Sequence, residues 1–259
     1  MGQVHTARGR IGYSEAGDGN ETPIVFLHGV GSDKSVWRPQ LEHFGKARRA
    51  VAFDYPGYGE SDLVEGATRD DFAASILAAM SALDIGRAHI CGLSLGGVIA
   101  IAMHSAAPKR CASLIIADSF AVHPDGQGIY DRSIAASHSM TMRALAEART
   151  GVLVGQAASD ALRAEVIDTM AAIDPAAYRI GAEAVWLADQ RDRAAAIDCP
   201  TLILVGDEDG ITPPALSDEL NRLIPGSTME IIRNAGHLAN AEQPQAFNRA
   251  IESFVAEIG

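Results

Sequence analysis

Three residues that together could activate a nucleophile occur in a fixed order along this chain of 259 residues. Ser94 lies in a Gly-x-Ser-x-Gly pattern, Asp209 follows in an acidic loop, and His237 ends the later sequence Asn-Ala-Gly-His. A serine hydroxyl attacks a carbonyl carbon when a histidine accepts its proton and a carboxylate orients that histidine. The order serine, acid, histidine therefore predicts nucleophilic hydrolysis.

The elements around Ser94 are those that such a serine needs. Residues 88–91 form an apolar run that predicts a buried strand, and the small residues after Gly96 predict a helix. A turn this sharp leaves no room for a β-carbon at Gly92 or Gly96. The alternative is an ordinary loop serine between glycines, but a strand before it and a helix after it favour the nucleophile.

The identity of the acid is less constrained than that of the nucleophile or the base. Asp209 is preferred over Asp207 and Glu208 because it lies deeper in the loop, farther from the preceding strand. Asp118, at the end of the strand before that one, is the alternative acid. Asp54 precedes the serine, so its expected role is to hold its own glycine-rich loop.

Two backbone N–H groups are candidates for binding the oxyanion of a tetrahedral intermediate. Leu95 opens the helix after the serine, where N–H groups are unpaired and the helix dipole favours an anion. Val30 lies in the glycine-rich loop 28–33, directly after an apolar run that predicts a buried strand. His28 is expected to brace this loop rather than react, and a plain turn between strand and helix is the alternative for the loop itself.

The chain divides into an alternating part and a helical part. Residues 1–119 and 196–259 alternate between strand and helix patterns, which predicts a mainly parallel sheet with helices on both faces. Residues 120–195 show only helical spacing and predict a cap inserted into the core domain. Such a cap would cover the serine, exclude water and shape specificity.

The predicted cap supplies the candidates for substrate contact. Its apolar pocket candidates, each of which could instead belong to the cap's own core, are Met140, Met142, Leu145, Leu153, Tyr178 and Trp186. Four arginines could bind a substrate carboxylate or simply face solvent, and these are Arg132, Arg143, Arg149 and Arg179.

Composition excludes several classes of partner. The formal net charge of -12 argues against nucleic acid or an anionic membrane as a partner, because both attract clustered Lys and Arg. The amino end lacks a signal-peptide apolar core and no segment is long enough to span a bilayer, so the expected location is cytoplasmic. The cysteines (Cys91, Cys111 and Cys199) lack metal-like spacing, and no dinucleotide motif occurs, so neither a metal nor another cofactor is predicted.

Five motifs in order resemble one family along nearly the whole chain outside the predicted cap. They are LHGVGSDKSVW (27–37), FDYPGYGESD (53–62), GLSLGG (92–97), GDEDGITPP (206–214) and NAGH (234–237). The chain resembles the α/β-hydrolase fold family, and its HGVGSD loop and length are most similar to the 3-oxoadipate enol-lactonase-like carboxyl-ester hydrolases. The resemblance implies an eight-stranded, mostly parallel sheet, a helical cap after the sixth strand and no cofactor. A serine nucleophile departs from the aspartate of haloalkane dehalogenases and epoxide hydrolases.

Three functions are compatible with these patterns. The first is hydrolysis of a small carboxylic ester or lactone through an acyl-enzyme. The second is hydrolysis of a carbon–carbon bond in a diketone-like substrate by the same three residues. The third is a ligand receptor on a hydrolase fold, which would bind without turnover. The sequence leaves open the identity and charge of the substrate and the oligomeric state.

Overall fold

Seven strands form one sheet in the computed structural model, which describes residues 1–258. The strands are β1 (Gly2–Thr6), β2 (Gly9–Leu27), β3 (Arg48–Phe53), β4 (Ala88–Leu93), β5 (Cys111–Ala117), β6 (Thr201–Gly206) and β7 (Thr228–Ile232). From β4 to β7 each strand pairs in parallel with its neighbour. The β1–β2 pair is an antiparallel hairpin at the edge of the sheet.

The long strand β2 occupies two positions in the sheet. Residues 13–16 pair with one side of β3, with Tyr13 opposite Phe53. Residues 24–27 run along the other side of β3, with Leu27 opposite that same Phe53, and they also pair with β4. The order across the sheet is therefore β1, first part of β2, β3, second part of β2, β4, β5, β6, β7. Seven continuous strands fill eight positions, which confirms the predicted eight-stranded, mostly parallel sheet.

Helices connect the strands and cover both faces of the sheet. Those between or after strands are α1 (Arg38–Phe44), α2 (Arg69–Ala82), α3 (Leu95–Ala106), α9 (Pro214–Leu223), α10 (Ala239–Glu242) and α11 (Pro244–Ile258). Successive strand residues point to opposite faces. Val25 and Leu27 pack in the core with residues of α2 and α3, whereas Phe26 packs in a second core with α1 and α11. Because both faces are covered, residues 24–27 of β2 are apolar at every position.

The chain between β5 and β6 contributes helices but no strand to this fold. They are α4 (Gly126–Ser139), α5 (Met142–Leu153), α6 (Asp160–Ala171), α7 (Pro175–Trp186) and α8 (Arg191–Ala195). Side-chain oxygens of Thr141, Ser159 and Asp174 accept N–H groups in the first turns of α5, α6 and α7. Such caps satisfy donors that a helix start leaves unpaired, so each start is fixed locally.

The carboxyl ends of the parallel strands lie at one edge of the sheet. The loop after β2, the turn after β4, the loop after β6 and the loop after β7 therefore meet there, which is where open α/β sheets bind ligands. These four segments carry Val30, Ser94, Asp209 and His237. Within residues 1–258, no helix has both the length and the apolarity to cross a bilayer.

Candidate active site

The turn between β4 and α3 holds Ser94 in a strained backbone conformation. Its φ of 56° and ψ of -114° lie in a region that residues with a side chain rarely adopt. A β-carbon on Gly92 would overlap the carbonyl oxygen of Gly96, and one on Gly96 would overlap the carbonyl oxygen of Leu27. The hydroxyl of Ser119 donates to the carbonyl of Ser94 at 2.8 Å. Glycine at both positions and this outside hydrogen bond keep the strained turn in place.

Ser94, His237 and Asp209 form one continuous chain of hydrogen bonds. The Oγ of Ser94 lies 2.9 Å from Nε2 of His237, and Nδ1 of His237 lies 2.9 Å from Oδ2 of Asp209. An ionised carboxylate only accepts, so the proton belongs on Nδ1, and Nε2 is left to accept the serine proton. All three residues are buried, with at most 4% of their surface exposed, so water does not compete for these bonds.

Asp209 is fixed by more than the histidine. Its Oδ1 accepts the N–H groups of Ile211 and Thr212, and its Oδ2 accepts the Thr212 hydroxyl at 2.6 Å. Burial acts to raise the pKa of Asp209, but the charge and hydrogen bond of His237 and the Thr212 donors outweigh it and lower the pKa to about 2. The carboxylate therefore stays ionised and oriented.

This pKa predicts how Asp209 contributes to stability at low pH. The pKa falls from 3.8, its ordinary value, to about 2 in the folded chain, which corresponds to about 2 kcal/mol of stability. That contribution is present above pH 3.8 and disappears as the pH falls towards 2. Urea unfolding of the wild type and of Asp209→Asn at pH 5 and pH 2 measures it: the difference between the two proteins should shift by about 2 kcal/mol against the wild type at the lower pH. A pH-independent difference contradicts this account.

The other candidate acids lie apart from the histidine nitrogen. Asp118 accepts the N–H of Gly206 at 2.8 Å, and burial, with the charge of Asp209, raises its pKa well above the usual range. Glu208 accepts the N–H of Gln156 at 2.8 Å. Asp207 faces Arg233 and the N–H of Ala235, both at 3.4 Å. Of the acids considered from the sequence, Asp209 is the one that contacts His237.

Asp54 holds the loops on the other side of the site. Its buried carboxylate contacts the Lys34 ammonium at 2.6 Å and accepts the N–H groups of Lys34 and Glu60. Glu60 also contacts that ammonium, at 3.0 Å. Because a buried charge without its partner is strongly destabilising, this network ties the loop after β3 to the segment after the Val30 loop.

The glycine-rich loop after β2 passes directly beside the serine. A β-carbon placed on Gly29 would lie 3.4 Å from Cβ of Ser94. Within residues 1–258, the N–H groups of Val30 and Leu95 donate to no other protein group. His28 braces the loop: its Nδ1 donates to the Gly29 carbonyl at 2.8 Å, and burial lowers its pKa, so the ring stays neutral. Two free donors thus lie near the Ser94 hydroxyl.

A cavity of about 300 Å³ opens beside Ser94 and His237. Loops of the sheet form one wall, and the helices between β5 and β6 form the other. Its apolar surface comes from Val30, Val36, Leu93, Leu153, Leu162, Val166, Met170, Tyr178, Trp186 and Leu238. The cavity is therefore a small, mostly apolar chamber that reaches the serine hydroxyl.

Three of the six predicted pocket residues lie outside this cavity. Leu153, Tyr178 and Trp186 line the cavity, but Met140, Met142 and Leu145 do not. Met140 is 40% exposed at the end of α4, whereas Met142 and Leu145 are buried in the core against neighbouring helices. Arg149 and Leu153 line the cavity, so α5 reaches it with its carboxyl-terminal half, whereas Met142 and Leu145 lie in its first turn, and sequence spacing does not show which end of the helix reaches the cavity.

One of the four candidate arginines lies at the cavity. Arg132 and Arg143 form exposed ion pairs with aspartates, and Arg179 lines a separate, open depression. Arg149 is half-buried on the cavity wall, with Nη1 3.5 Å from the Tyr178 hydroxyl. Within residues 1–258, no carboxylate lies within ion-pair distance of this guanidinium. Arg149 therefore presents to the cavity a guanidinium without an ion-pair partner, and the same lining includes the Arg38–Glu165 ion pair.

Sequence reasoning missed several residues that hold the site. Thr212 donates to Asp209 from three residues further along the chain, a spacing typical of aspartate turns that could have revealed it. Ser119 holds the serine turn from the end of β5 and carries no comparable local signal. Val166 and Met170 lie one helical turn apart on α6 and both face the cavity, although their spacing alone predicts only an apolar helix face.

Solved structures with this architecture include a lactonase. The enol-lactonase from Burkholderia xenovorans superposes with a TM-score of 0.92 at 26% sequence identity, covering 98% of this chain and all of that one. The similarity extends through the helices between β5 and β6, because almost no residue of either chain is left out.

Sequence comparisons agree on the family. A 3-oxoadipate enol-lactonase from Acinetobacter baylyi is 30% identical over 93% of this chain and 91% of that protein. A 2-hydroxy-6-oxononadienedioate/2-hydroxy-6-oxononatrienedioate hydrolase from Cupriavidus pinatubonensis is 28% identical over 95% of this chain and 90% of that protein. The family model described as alpha/beta hydrolase fold matches residues 22–244. The chain is a member of the α/β-hydrolase fold family.

Proposed function

We propose that this protein hydrolyses a small carboxylic ester or lactone through an acyl-enzyme. The observation that carries the proposal is the buried chain of two 2.9 Å hydrogen bonds from Ser94 through His237 to Asp209. The unpaired N–H groups of Val30 and Leu95 beside it supply what a tetrahedral intermediate needs. The similarity to enol-lactonases favours an ester bond as the one cleaved.

In the proposed reaction, the Oγ of Ser94 attacks the carbonyl carbon as Nε2 of His237 takes its proton. The carbonyl electrons move onto oxygen, and the N–H groups of Val30 and Leu95 stabilise that oxyanion. When the intermediate collapses, His237 returns the proton to the leaving alkoxide and the acyl group stays on Ser94. Water activated by His237 then releases the acid. Asp209 stabilises the imidazolium in both steps.

We also propose that residues 120–195 act as a cap over a core domain of residues 1–119 and 196–259. Supporting this, Val166, Met170 and Trp186 close the cavity opposite the serine. A chamber of about 300 Å³ suits a small molecule as substrate. The cytoplasmic location stays a prediction.

The test is mass spectrometry of the protein after treatment with a serine-directed fluorophosphonate, run beside a short-chain nitrophenyl ester assay. We expect one adduct, on the peptide that contains Ser94, with ester turnover lost in proportion to labelling. Labelling at another residue, or turnover that survives complete labelling at Ser94, rejects the proposed mechanism.

A second candidate function is hydrolysis of a carbon–carbon bond. It is favoured by the 28% identity to the oxononadienedioate hydrolase, over nearly the same share of the chain as the lactonase match. Product analysis separates the two reactions: hydrolysis of an ester or lactone breaks a C–O bond and leaves its oxygen on the second product as an alcohol, an enol or the ketone derived from it, whereas hydrolysis of a C–C bond leaves C–H in place of the broken bond.

The position of Arg149 favours a substrate that carries a negatively charged carboxylate. Both relatives carry names that denote carboxylate-bearing molecules, and the guanidinium on the cavity wall has no carboxylate of its own. An ionic hydrogen bond contributes about 1.5–3 kcal/mol, or roughly 10- to 100-fold in kcat/KM. We expect Arg149→Gln to lower kcat/KM by that factor for an ester with a distal carboxylate, and by less than about 3-fold for its neutral amide analogue.

Arg143→Gln is the matched control, because Arg143 lies on the same helix and pairs with Asp168 at the surface. It should leave both substrates unaffected. Equal losses of kcat/KM for the anionic and neutral substrates in Arg149→Gln would mean that Arg149 shapes the cavity but does not recognise charge.

A further inference from the structure

The loop that carries His237 is bonded directly to the turn between α5 and α6. The N–H of His237 donates to the carbonyl of Leu153 at 3.0 Å. A β-carbon on Gly236 would lie 2.5 Å from the backbone nitrogen of Gly155 and 2.8 Å from the carbonyl carbon of Val154. The two segments therefore pack backbone against backbone, and neither can shift without moving the other.

A single carboxylate bridges these two segments. Oε2 of Glu242 accepts the N–H of Gly155 at 2.7 Å, on the side of the inserted helices. Oε1 of Glu242 accepts the N–H of Gly236 at 2.9 Å and, at a longer 3.4 Å, that of Leu238. These last two residues flank His237. One side chain thus holds both neighbours of the candidate base and the inserted helices at once.

Only a carboxylate fits this arrangement. It offers an acceptor oxygen on each side, whereas a glutamine offers one oxygen and turns an N–H₂ group towards a backbone N–H. Glu242 is partly buried, and burial, with the nearby charge of Glu208, raises its pKa even though the backbone N–H groups act in the opposite direction. The chain thus keeps a partly desolvated charge at this junction and surrounds it with three donors.

We propose that Glu242 is a positioning residue that ties the His237 loop to the inserted helices and so holds Nε2 of His237 against Ser94. The inference rests on the proposed function, because it assigns Glu242 a task in that reaction. Glu242 does not itself line the cavity and makes no hydrogen bond to the side chain of Ser94 or His237, so it acts through the position of the imidazole. A displacement of about 1 Å in a catalytic group lowers rates by up to about 100-fold.

The test compares Glu242→Gln with wild type and with Glu257→Gln, which removes the same charge from an exposed position near the end of α11. We expect Glu242→Gln to lower kcat on a nitrophenyl ester by about 10- to 100-fold while KM changes by less than about 3-fold. The rate of fluorophosphonate labelling at Ser94 should fall by the same factor. Glu257→Gln should match wild type in all three measurements.

Hydrogen exchange adds a readout that does not depend on activity. In Glu242→Gln, amide exchange should become faster in peptides covering 153–158 and in peptides covering 234–238, because one carboxylate protects both. If Glu242→Gln does not fold, Gly155→Ala tests the same junction from its other side. Its β-carbon would lie 2.7 Å from Oε2 of Glu208, 3.0 Å from Oε2 of Glu242 and 3.1 Å from the nitrogen of Gly236, so it pushes the two segments apart, and we expect the same loss of kcat.

The outcomes separate this proposal from the proposed function. A lower melting temperature with unchanged kcat and labelling rate means that Glu242 only stabilises the fold, and it overturns the positioning role. Faster exchange in one of the two segments alone also overturns it, since no bridge is then present. A wild-type protein that neither labels at Ser94 nor turns over esters overturns the proposed function instead, and the assignment of Glu242 with it.

Discussion

Replacing Ser94 with alanine should lower kcat for a short-chain ester by about 10⁶-fold while leaving the fold intact. Within the described residues, Ser94 is the hydroxyl that contacts Nε2 of His237, so its loss removes the nucleophile completely. The substitution deletes one buried oxygen and adds no bulk, so the melting temperature should change by no more than about 5 °C. Stopped assays at high enzyme concentration give kcat, and mass spectrometry should find no phosphonate adduct.

Ser81→Ala is the control for this experiment, because Ser81 is an exposed serine on α2. It should label and turn over substrate like the wild type. A Ser94→Ala protein that retained more than about one part in a thousand of the wild-type kcat would show that catalysis does not proceed through this hydroxyl.

Replacing Asp209 with asparagine should lower kcat by about 10⁴-fold. The amide of asparagine would direct its N–H₂ group either towards Nδ1 of His237 or towards the backbone N–H groups of Ile211 and Thr212, which it cannot accept. In the first case, the imidazole proton moves to Nε2, which can then no longer accept from Ser94. The ester assay at neutral pH measures this loss.

Asp118→Asn is the informative comparison for Asp209→Asn. Asp118 contacts the N–H of Gly206 and makes no hydrogen bond to His237, so this variant should lose less than about 10-fold in kcat. The reverse order of effects would assign the acid to Asp118. Measuring both variants thus decides between Asp209 and Asp118, the alternative acid from the preceding strand.

The sequence predicts the parts of this site that are determined by local chain geometry. The turn at Ser94 can be predicted from the sequence because only glycine fits at two positions where a β-carbon would overlap backbone atoms. The strand before it and the helix after it can be predicted because the apolar pattern changes there from a continuous run to helical spacing. Asp209 follows from the position of its loop after β6, although the Thr212 hydroxyl that fixes it was overlooked.

The pocket residues could not be predicted as fully, because they depend on which part of each helix reaches the cavity. Met142, Leu145 and Leu153 share one helix, and nothing in their spacing says that only Leu153 reaches the cavity. The double use of β2 was equally hidden, since its two segments are joined by polar residues that look like a loop. The role of Glu242 could not be predicted from the sequence, because its partner Gly155 lies 87 residues away in the chain.

The hydrogen bond from His237 to Leu153 also bears on how such a protein diversifies. Its donor and acceptor are main-chain atoms: every residue type has the carbonyl, and every type except proline has the N–H. Side chains on α5 and α6 can therefore change, one substitution at a time, without breaking this hydrogen bond. We therefore expect new specificities to arise through neutral intermediates, because this main-chain bond, beside the Glu242 carboxylate, keeps the His237 loop joined to the inserted helices while side chains of the cavity wall change.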